Sequence, residues 1–346
     1  MTVNPLREDL DHILAHTEGL WEELRGQRLF ITGGTGFFGC WLLESFAWAN
    51  DRLGLKAEAV VLTRNPEAFV RKAPRLAGHP AISFHIGDIR SFEFPKGAFS
   101  HVIHAAAEFN TGGPIDALDT IINGTRRSLD FARSQGAVKF LLTSSGAVYG
   151  RQPCDLTHVP EDYAGGPDLL SPGSCYGEGK RVAELLCAVY RKDYGLDTRI
   201  ARCFSFIGPY MPLEGHFAAG NFILDVVHGR PIHVKGDGSP CRSYLYASDL
   251  AVWLWTILLS ARQGCVYNVG SEEVVNIGEL SEKIASITGS GSVISPKAKF
   301  SGKPPERYVP STRRAFQDLN LSAWIGLEEG LMRTMSWCRM NGLKNK

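Results

Sequence analysis

A glycine run between a strand-like and a helix-like stretch constrains the fold of this 346-residue chain more than any other feature. From Gly33 to Gly39 the chain reads Gly-Gly-Thr-Gly-Phe-Phe-Gly, after the apolar residues 28–32 and before the amphipathic residues 40–48. The run fits the spacing G-x-G-x-x-G from Gly34 and the wider G-x-x-G-x-x-G from Gly33. A strand that turns through glycines into a helix presents bare backbone N–H groups and a positive helix end to a pyrophosphate. The run therefore predicts dinucleotide binding, against the plainer alternative of a tight structural turn.

Strand-like and helix-like segments continue to alternate after the glycine run. Apolar runs occur at residues 57–63, 82–86, 101–107, 139–145 and 198–204, with amphipathic segments between several of them. Apolar strands that are buried on both faces and separated by helices are typical of a parallel sheet. We therefore predict an α/β fold built on a Rossmann doubly wound parallel sheet.

The alternation breaks beyond about residue 208, where Gly-Pro, Gly-Asp-Gly and Pro-Pro sequences punctuate the chain. Before the glycine run, apolar residues recur at helical spacing between Leu10 and Leu24. The sequence predicts a smaller C-terminal α/β part that binds the substrate. The predicted domains are an N-terminal packing helix in 1–26, a Rossmann domain in 27–208 to which 240–270 return, and the substrate-binding part in 209–239 and 271–340.

The composition is that of a cytoplasmic enzyme. Hydrophobic residues make up 44% of the chain and the formal net charge is +1, which argues against a nucleic-acid or membrane partner. The eight cysteines include no C-x-x-C pair, and no histidine pair has metal-ligand spacing beside an acid, so we expect reduced thiols and no metal. The N-terminus has no apolar segment of a secretory signal, and the apolar run 250–259 is too short to cross a bilayer. We therefore expect a cytoplasmic location.

Small and polar residues follow the predicted strands at the carboxyl edge of the sheet, where parallel sheets bind ligands. Asp88, after the third strand, could accept a hydrogen bond from an adenine amino group or cap a helix. Ala105, Ala106 and Ala107, after the fourth strand, would let a flat cofactor approach the backbone, or would pack tightly for structural reasons. The fifth strand ends in Ser145.

Tyr176 and Lys180 are the candidate catalytic pair. Because they are four residues apart on a predicted helix, the Lys180 ammonium can lie beneath the Tyr176 phenol. A free tyrosine has a pKa of about 10 and is a poor base at neutral pH, whereas a nearby cation favours the phenolate. Such a tyrosine can take a proton from a sugar hydroxyl as hydride leaves, or return it to a ketone, while Ser145 holds the same oxygen. A solvated helix face is the plainer alternative, and the glycine run upstream favours catalysis over it.

Together these motifs resemble the extended short-chain dehydrogenase/reductase superfamily, in its nucleotide-sugar epimerase/dehydratase branch. The resemblance spans residues 27–335 and implies a Rossmann domain that holds NAD or NADP, a bound nucleoside-diphosphate sugar, and a homodimer formed by helices within 114–133 and after Tyr176. It implies that Ser145, Tyr176 and Lys180 are catalytic. It rests on Gly33/Gly36/Gly39, Asp88-Ile89, His104-Ala105-Ala106-Ala107, Asn123-Gly124-Thr125, Ser144-Ser145, Val148-Tyr149-Gly150, Tyr176/Lys180, 202–209, Arg242-Ser243-Tyr244 and Ser248-Asp249-Leu250.

The resemblance also implies which residues contact each ligand. Arg242 and Arg307 match arginines that the branch uses on the diphosphate, which the guanidinium fork suits, although a surface ion pair is the alternative for each. Ser205 stands where many relatives have an asparagine. The expected cofactor contacts are Gly33, Gly36, Phe37, Phe38, Gly39, Arg64, Asp88, Ile89, Ala105, Ala106, Ala107, Asn123, Thr143, Tyr176, Lys180 and Cys203. The expected substrate contacts are Ser144, Ser145, Gly146, Ser205, Asn221, Arg242 and Arg307.

Departures from the family pattern narrow the implied reaction. Dehydratases of the branch carry Thr-Asp-Glu where this chain has Ser145, Gly146 and Ala147, and glucuronate decarboxylases keep the glutamate. The 3,5-epimerising relatives place a cysteine at the Ala147 position. Serine, tyrosine and lysine alone can support hydride transfer at the sugar C4, so we predict a 4-epimerase or a 4-ketoreductase. Because residues 174–181 resemble those of the decarboxylases, a UDP-glucuronate decarboxylase or a 4,6-dehydratase remains the alternative.

The end of the second strand bears on the form of the cofactor. NAD-bound members usually place an acid there that accepts from the ribose 2′-hydroxyl. Here residues 62–65 read Leu-Thr-Arg-Asn, and Arg64 could bind a 2′-phosphate or be solvated. The sequence therefore favours NADP(H) slightly over NAD, and with it a reductase. A non-catalytic nucleotide-sensing scaffold is a further hypothesis, against which the intact Ser145, Tyr176 and Lys180 argue.

Overall fold

The computed structural model describes residues 4–106, 112–215, 217–288, 293–294 and 304–341. Its strands are β1 (Arg28–Thr32), β2 (Glu58–Thr63), β3 (Ile82–Ile86), β4 (His101–His104), β5 (Lys139–Ser145), β6 (Thr198–Cys203), β7 (Phe206–Ile207), β8 (Ile232–His233), β9 (Cys241–Arg242), β10 (Leu245–Tyr246), β11 (Val266–Val269), β12 (Val275–Asn276), β13 (Val293–Ile294) and β14 (Arg307–Tyr308). Its α-helices are α1 (Arg7–His16), α2 (Phe37–Leu53), α3 (Pro66–Lys72), α4 (Pro74–Ala77), α5 (Pro114–Ser134), α6 (Cys175–Tyr194), α7 (Ala218–Val227), α8 (Ala247–Ser260), α9 (Ile277–Thr288), α10 (Arg313–Leu319) and α11 (Leu327–Met340).

A seven-stranded parallel sheet forms the centre of the protein, in the order β11-β6-β5-β4-β1-β2-β3. The strand order reverses between β1 and β4, which pair directly from Leu29 and His101 to Thr32 and His104. In a doubly wound sheet, ligands bind in the crevice outside the carboxyl ends of the strands at such a switch point. The predicted α/β class with a Rossmann sheet is confirmed.

Successive residues of the strands pack against helix layers on opposite faces of the sheet. Leu29 and Ile31 of β1 belong to the buried cluster that contains α2 and α8, whereas Phe30 belongs to the cluster of α5 and α6. Side chains alternate across a strand, so a sheet that is covered on both faces needs apolar residues at every position. This requirement explains why continuous apolar runs, rather than alternating ones, predicted these strands.

A smaller C-terminal part packs beside the sheet. Strands β12, β9 and β14 form a three-stranded sheet in that order, and β13 pairs with β8. Helices α7, α9 and α11 bury Phe222, Leu280 and Leu331 in one cluster. Within this half of the chain, β11 lies at the edge of the main sheet beside β6, and α8 packs on α2. Both belong to the segment for which the sequence predicts a return to the Rossmann domain.

The N-terminal segment differs from the single packing helix that the sequence predicts. Helix α1 ends at His16, and a separate 3₁₀ helix spans Leu20–Leu24 after Gly19, whose φ is +79°. That left-handed backbone, which glycine adopts without strain, interrupts the helical spacing. A contact of 2.9 Å between the His12 ring and the Asp249 carboxylate fixes α1 to α8.

Strand β4 is shorter than the apolar run that contains it. The apolar run reaches residue 107, but the last strand residue is His104, and Ala105 and Ala106 already lie in the connection to α5. Ala107 itself lies outside the described residues. Across the parts of the chain that the structure describes, no helix combines the length and the apolar character needed to span a bilayer.

Candidate active site

The turn between β1 and α2 depends on glycines where backbone segments approach most closely. Gly33 has a φ of +70°, and a Cβ there would lie 2.4 Å from the carbonyl carbon of Ala105. A Cβ on Gly39 would lie 2.3 Å from the Cα of Gly34. The Gly36 N–H donates to the Gly33 carbonyl at 3.0 Å, and α2 begins directly after it. Among the described residues no side chain caps this helix N-terminus by a hydrogen bond, so the turn fits the pyrophosphate of a dinucleotide.

A cavity of about 370 Å³ lies above the glycine turn. It runs along the carboxyl ends of β1, β2, β3 and β4, across the switch point of the sheet. Thr35, Lys72 and Thr120 line it, and the sequence interpretation missed all three as contacts. Seven residues of the predicted cofactor set also line it: Gly33, Gly36, Arg64, Asp88, Ile89, Ala105 and Ala106.

Asp88 is held as a charged acceptor at the rim of this cavity. Its carboxylate accepts from the Arg90 backbone N–H at 2.9 Å and from the Arg90 guanidinium at 2.9 and 3.1 Å. These hydrogen bonds, together with the charges of Arg90 and Arg64, lower the pKa of Asp88. Arg90 also contacts Asp116 and Asp119 on α5. Asp88 is thus an ionised group with a fixed orientation, as an acceptor for an amino group requires.

Not every predicted cofactor contact lies at the cavity. Asn123 is exposed on α5 and donates to Asp119 at 2.5 Å, while Thr120, one helical turn earlier, lines the cavity instead. The prediction for Asn123 therefore has no support, because the rotation of α5 turns its amide to the outside. Phe37 and Phe38 begin α2, and the Phe38 ring packs edge-on against Phe206 at 5.0 Å.

Ser145, Tyr176 and Lys180 meet at the carboxyl end of β5. The Lys180 ammonium is buried, donates to the Thr143 carbonyl at 2.8 Å, and lies 5.9 Å from the centroid of the Tyr176 ring. The Ser145 side chain lies close enough to the Tyr176 phenol to favour its phenolate. The Ser145 oxygen also accepts from the Ala147 N–H at 3.1 Å. The structure brings together the three residues that the sequence proposes as catalytic.

The pKa values of this set reflect its burial. Burial raises the pKa of Tyr176, the neighbouring Tyr308 raises it further, and the hydrogen bond with Ser145 opposes both. Burial lowers the pKa of Lys180 to about 8. The expected lowering of the Tyr176 pKa is therefore not found, because burial disfavours the phenolate. In the described protein Tyr176 is a neutral phenol, which holds a proton that it can donate.

The side chains of Ser144 and Ser145, the last two residues of β5, point in opposite directions. Ser144 is buried and donates to the Glu184 carboxylate at 2.6 Å, on the side of the sheet covered by α6, and Arg202 contacts the same carboxylate. Consecutive strand residues face opposite sides, so the Ser144 and Ser145 side chains lie on opposite faces of β5. The Ser144 hydroxyl is therefore engaged by Glu184, and the contact of Ser144 with the substrate stays a prediction.

Tyr308 is a further site residue that the sequence analysis missed. Its hydroxyl lies 3.4 Å from the Ser145 Oγ and 3.5 Å from the Cys203 carbonyl oxygen, to which it donates. A Cβ on Gly146 would lie 2.8 Å from the same hydroxyl and 2.7 Å from the Phe204 ring. Gly146 therefore leaves room for two aromatic side chains rather than for a ligand of its own.

The C-terminal part places Arg242 beside this group. Arg242 of β9 lies opposite Tyr308 of β14 in the parallel pairing, its guanidinium is 6.0 Å from the Tyr308 ring centroid, and it contacts Glu306 at 2.7 Å. Arg307 is partly buried on the same strand. Asn221, on α7, donates to the Gly215 carbonyl at 2.9 Å. Cys203 is the last residue of β6 and pairs with Ser145, and Ser205 lies two residues beyond it.

Comparison with known proteins identifies the family. The sequence model of the NAD dependent epimerase/dehydratase family matches residues 29–270. The chain belongs to this family. The match covers the glycine turn, the cavity and the group formed by Ser145, Tyr176 and Lys180, and the family is NAD-dependent. The slight preference for NADP(H) is not confirmed.

The relatives in this family include decarboxylases, dehydratases and epimerases of nucleotide sugars. UDP-glucuronic acid decarboxylase 1 of Danio rerio is 32% identical over 97% of this chain and 79% of its own length. The structure of DesIV, a dTDP-glucose 4,6-dehydratase from Streptomyces venezuelae with NAD and TYD bound, is 25% identical, covers 91% of this chain and 98% of its own, and has a TM-score of 0.76. A UDP-glucuronic acid 4-epimerase from Bacillus cereus shares the fold, with a TM-score of 0.76 at 22% identity over 91% of this chain and 100% of its own. The protein is an enzyme that modifies nucleotide sugars.

Proposed function

We propose that this epimerase/dehydratase family member is a UDP-glucuronate decarboxylase that works through oxidation at C4 of the sugar. The observation that carries the proposal is the group of Ser145, Tyr176 and Lys180 at the end of β5, beside a cavity that fits a dinucleotide. A decarboxylase that is 32% identical over 97% of the chain supports UDP-glucuronate as the substrate. The sequence analysis favoured a 4-epimerase or 4-ketoreductase, and this relative favours the alternative.

Gly146 and Ala147 argue more strongly against dehydration than against decarboxylation. Elimination of water across C5 and C6 needs an acid and a base beside the sugar, and Gly146 and Ala147 supply neither. A carboxylate at C5 lies β to a ketone at C4, so the electrons of its carbon–carbon bond can pass directly into that ketone as CO₂ leaves. Decarboxylation therefore requires less of these two positions than dehydration does.

Each member of the catalytic group has a distinct part in this chemistry. Bound NAD supplies a reversible hydride acceptor for C4. Tyr176 exchanges the proton of the C4 oxygen, and the neighbouring Ser145 donates a hydrogen bond to the same oxygen. The Lys180 ammonium, fixed by the Thr143 carbonyl, stabilises negative charge that develops on the phenol.

Arg242 and Arg307 would hold the diphosphate of the substrate. They lie on the adjacent strands β9 and β14, in the same small sheet that brings Tyr308 to Ser145. Planar guanidinium groups suit phosphate oxygens, and the Glu306 partner of Arg242 is itself more than half exposed and replaceable. Asn221 and Ser205 remain proposed substrate contacts on this side.

A 4-epimerase is the second candidate. One observation favours it: Gly146 and Ala147 stand where the dehydratases carry acids. The reactive residues that remain from the family pattern are Ser145, Tyr176 and Lys180. An epimerase would oxidise the same carbon and return the hydride to the opposite face. Both candidates therefore share the first step and differ in the fate of the ketone.

One experiment distinguishes the candidates. Purified protein is incubated with NAD and UDP-glucuronate, CO₂ is trapped, and the products are followed by NMR, with Tyr176→Phe as the control for contaminating activity. CO₂ with an equimolar UDP-pentose supports the decarboxylase. A UDP-hexuronate inverted at C4, without CO₂, supports the epimerase. If the nucleotide sugar is recovered unchanged, both proposals fail for this substrate.

Pairing of two copies through α5 and α6 remains a proposal. Ile115 at the start of α5 and Leu185 on α6 are more than half exposed, and Val189 lies one turn after Leu185. Burial of such side chains against a second copy is favourable. Light scattering of Leu185→Glu against the unaltered protein tests it, and an unchanged mass with both proteins dimeric would exclude this face.

A further inference from the structure

Tyr308 reaches the catalytic group from a different part of the chain than the other reactive residues. Ser145 and Tyr176 lie on the main sheet and on the helix beside it, whereas Tyr308 lies on β14 of the small C-terminal sheet. Its hydroxyl is 3.4 Å from the Ser145 Oγ and close enough to Tyr176 to raise the pKa of that phenol. Two phenols from separate parts of the chain therefore lie beside one serine.

Gly146 makes this approach possible. A Cβ at that position would lie 2.8 Å from the Tyr308 hydroxyl, a separation that real Cβ atoms do not tolerate. Any larger residue at 146 would displace the phenol from Ser145. The chain thus lacks an acid next to Ser145 and has instead a hydroxyl donor in the space that such an acid would need.

We propose that Tyr308 is a second catalytic phenol, which delivers a proton to the sugar carbon next to the C4 ketone. The inference rests on the proposed function in one respect, that the C4 oxygen lies between Ser145 and Tyr176. C5 is one bond from C4, so a hydroxyl in contact with Ser145 is placed to reach it. Tyr176 exchanges a proton with the C4 oxygen, and Tyr308 donates a proton to C5.

The proton transfer balances without a further reagent. When CO₂ leaves C5, the electron pair of the broken bond forms a C4–C5 double bond and leaves negative charge on the C4 oxygen. The Tyr308 O–H bond then breaks, the C4–C5 electron pair forms a new C5–H bond, and the ketone at C4 is restored. The Tyr308 phenolate takes its proton back from water.

The surroundings of Tyr308 keep it protonated until the enolate forms. Burial raises the pKa of Tyr308 to about 12, although Ser145 and Arg242 act in the opposite direction. In the described structure its proton is donated to the Cys203 carbonyl, a neutral acceptor that cannot remove it. Arg242, with its guanidinium 6.0 Å from the ring centroid, provides positive charge near the phenolate left after transfer.

Two structural roles would produce the same contacts. Tyr308 could only position Ser145, in which case its loss would slow every step that uses Ser145. It could also only fill space against Phe204, 4.7 Å away between ring centroids, in which case phenylalanine would replace it fully. The test must therefore separate chemistry at C5 from chemistry at C4.

Hydrogen exchange at C5 of a UDP-4-keto-pentose in D₂O isolates the step, because exchange needs no net oxidation or reduction. The full-length protein, Tyr308→Phe and the control Tyr163→Phe are compared by NMR, with reduction of the same ketosugar by NADH measured in parallel. Tyr163 belongs to the same aromatic cluster as Tyr308 but has no described contact with Ser145. Thermal melts establish that each variant is folded, and UDP affinity provides a measure of the site that is independent of turnover.

We expect Tyr308→Phe to slow C5 exchange by about 100-fold or more, as loss of a general acid does, while C4 reduction and UDP affinity change little. Equal losses at C4 and C5 would overturn the proposal in favour of positioning of Ser145. Unchanged exchange in Tyr308→Phe, or no exchange by the unaltered protein, would overturn it outright. If C5 exchange depends on Tyr308 but UDP-glucuronate is not decarboxylated, the proposed function fails and this inference stands.

Discussion

The buried Lys180 ammonium lies 5.9 Å from the centroid of the Tyr176 ring and donates to the Thr143 carbonyl at 2.8 Å. The spacing of one helical turn on α6 sets the first contact, and the carboxyl end of β5 sets the second. Lys180 therefore ties the helix that carries the phenol to the strand that carries Ser145. The charge of this lysine is costly to bury, and its titration has measurable consequences.

We expect activity to fall as the pH rises through about 8. Burial lowers the pKa of Lys180 to about 8, so the ammonium that stabilises charge on Tyr176 is lost above that pH. The pH profile of kcat/KM should show a descending limb there. Lys180→Met should abolish the limb together with most of the activity, whereas Lys192→Met, at an exposed position of the same helix, should keep both.

The free energy of unfolding should move in the opposite direction over the same range. The folded pKa of Lys180, about 8, is below its unfolded value of 10.5, so between these pH values the unfolded chain binds more protons. Stability therefore rises with pH in this window. Urea unfolding of Lys180→Met should lose this component of the slope relative to Lys192→Met. An unchanged slope would mean that Lys180 does not titrate in this window.

Tyr176→Phe should reduce kcat/KM by a factor of about 10² to 10⁴, the usual range for a general acid or base. The ring would still pack in place, so NAD affinity measured by calorimetry should hardly change. Tyr190→Phe is the matched control on α6. It removes a hydroxyl that lies away from the crevice and donates to the Asp130 carboxylate at 2.7 Å. Turnover retained in Tyr176→Phe would remove this phenol from its assigned role.

Gly33→Ala should weaken NAD binding and destabilise the protein. A left-handed alanine costs about 1–2 kcal/mol, and the new Cβ would in addition lie 2.4 Å from the Ala105 carbonyl carbon. Gly54 has a similar φ, +57°, but a Cβ there would have no atom within 4 Å. Gly54→Ala therefore carries only the cost of the left-handed backbone. If the two variants lose equal stability in urea unfolding and equal NAD affinity in titration, the close contact with Ala105 is not the reason that position 33 needs glycine.

The parts of this protein that were predictable from sequence are those determined locally. Strands β1, β3 and β5 begin and end where their apolar runs do. Both faces are covered at β1 and β5, whereas the edge strand β3 is only partly buried. The glycine turn followed from residue spacing, and the meeting of Tyr176 with Lys180 followed from the helical repeat. Each of these features needs only a few consecutive residues to specify it.

The parts that were not predicted depend on contacts between distant segments. Tyr308 reaches Ser145 only because β14 pairs with β9, and two-residue strands leave no periodic pattern in the sequence. Asn123 was assigned from a motif, but the packing of α5 decides which face of that helix meets the cavity. Sequence pattern gives the period of an element, whereas its rotation against its neighbours comes from the packing of the whole fold.

Arg64 tests the form of the cofactor. It lines the cavity at the end of β2, and its charge contributes to the lowered pKa of Asp88. If its guanidinium lies where a 2′-phosphate would bind, Arg64→Ala should weaken NADP(H) binding by about tenfold, or 1.4 kcal/mol, and should change NAD affinity little. Arg71→Ala, at an exposed position of α3, is the control for a general loss of positive charge. Fluorescence titration with both dinucleotides measures the ratio of affinities. An unchanged ratio would mean that Arg64 does not bind a 2′-phosphate. Arg64 would then act only through its charge on Asp88, and nothing at this site would favour NADP(H) over NAD.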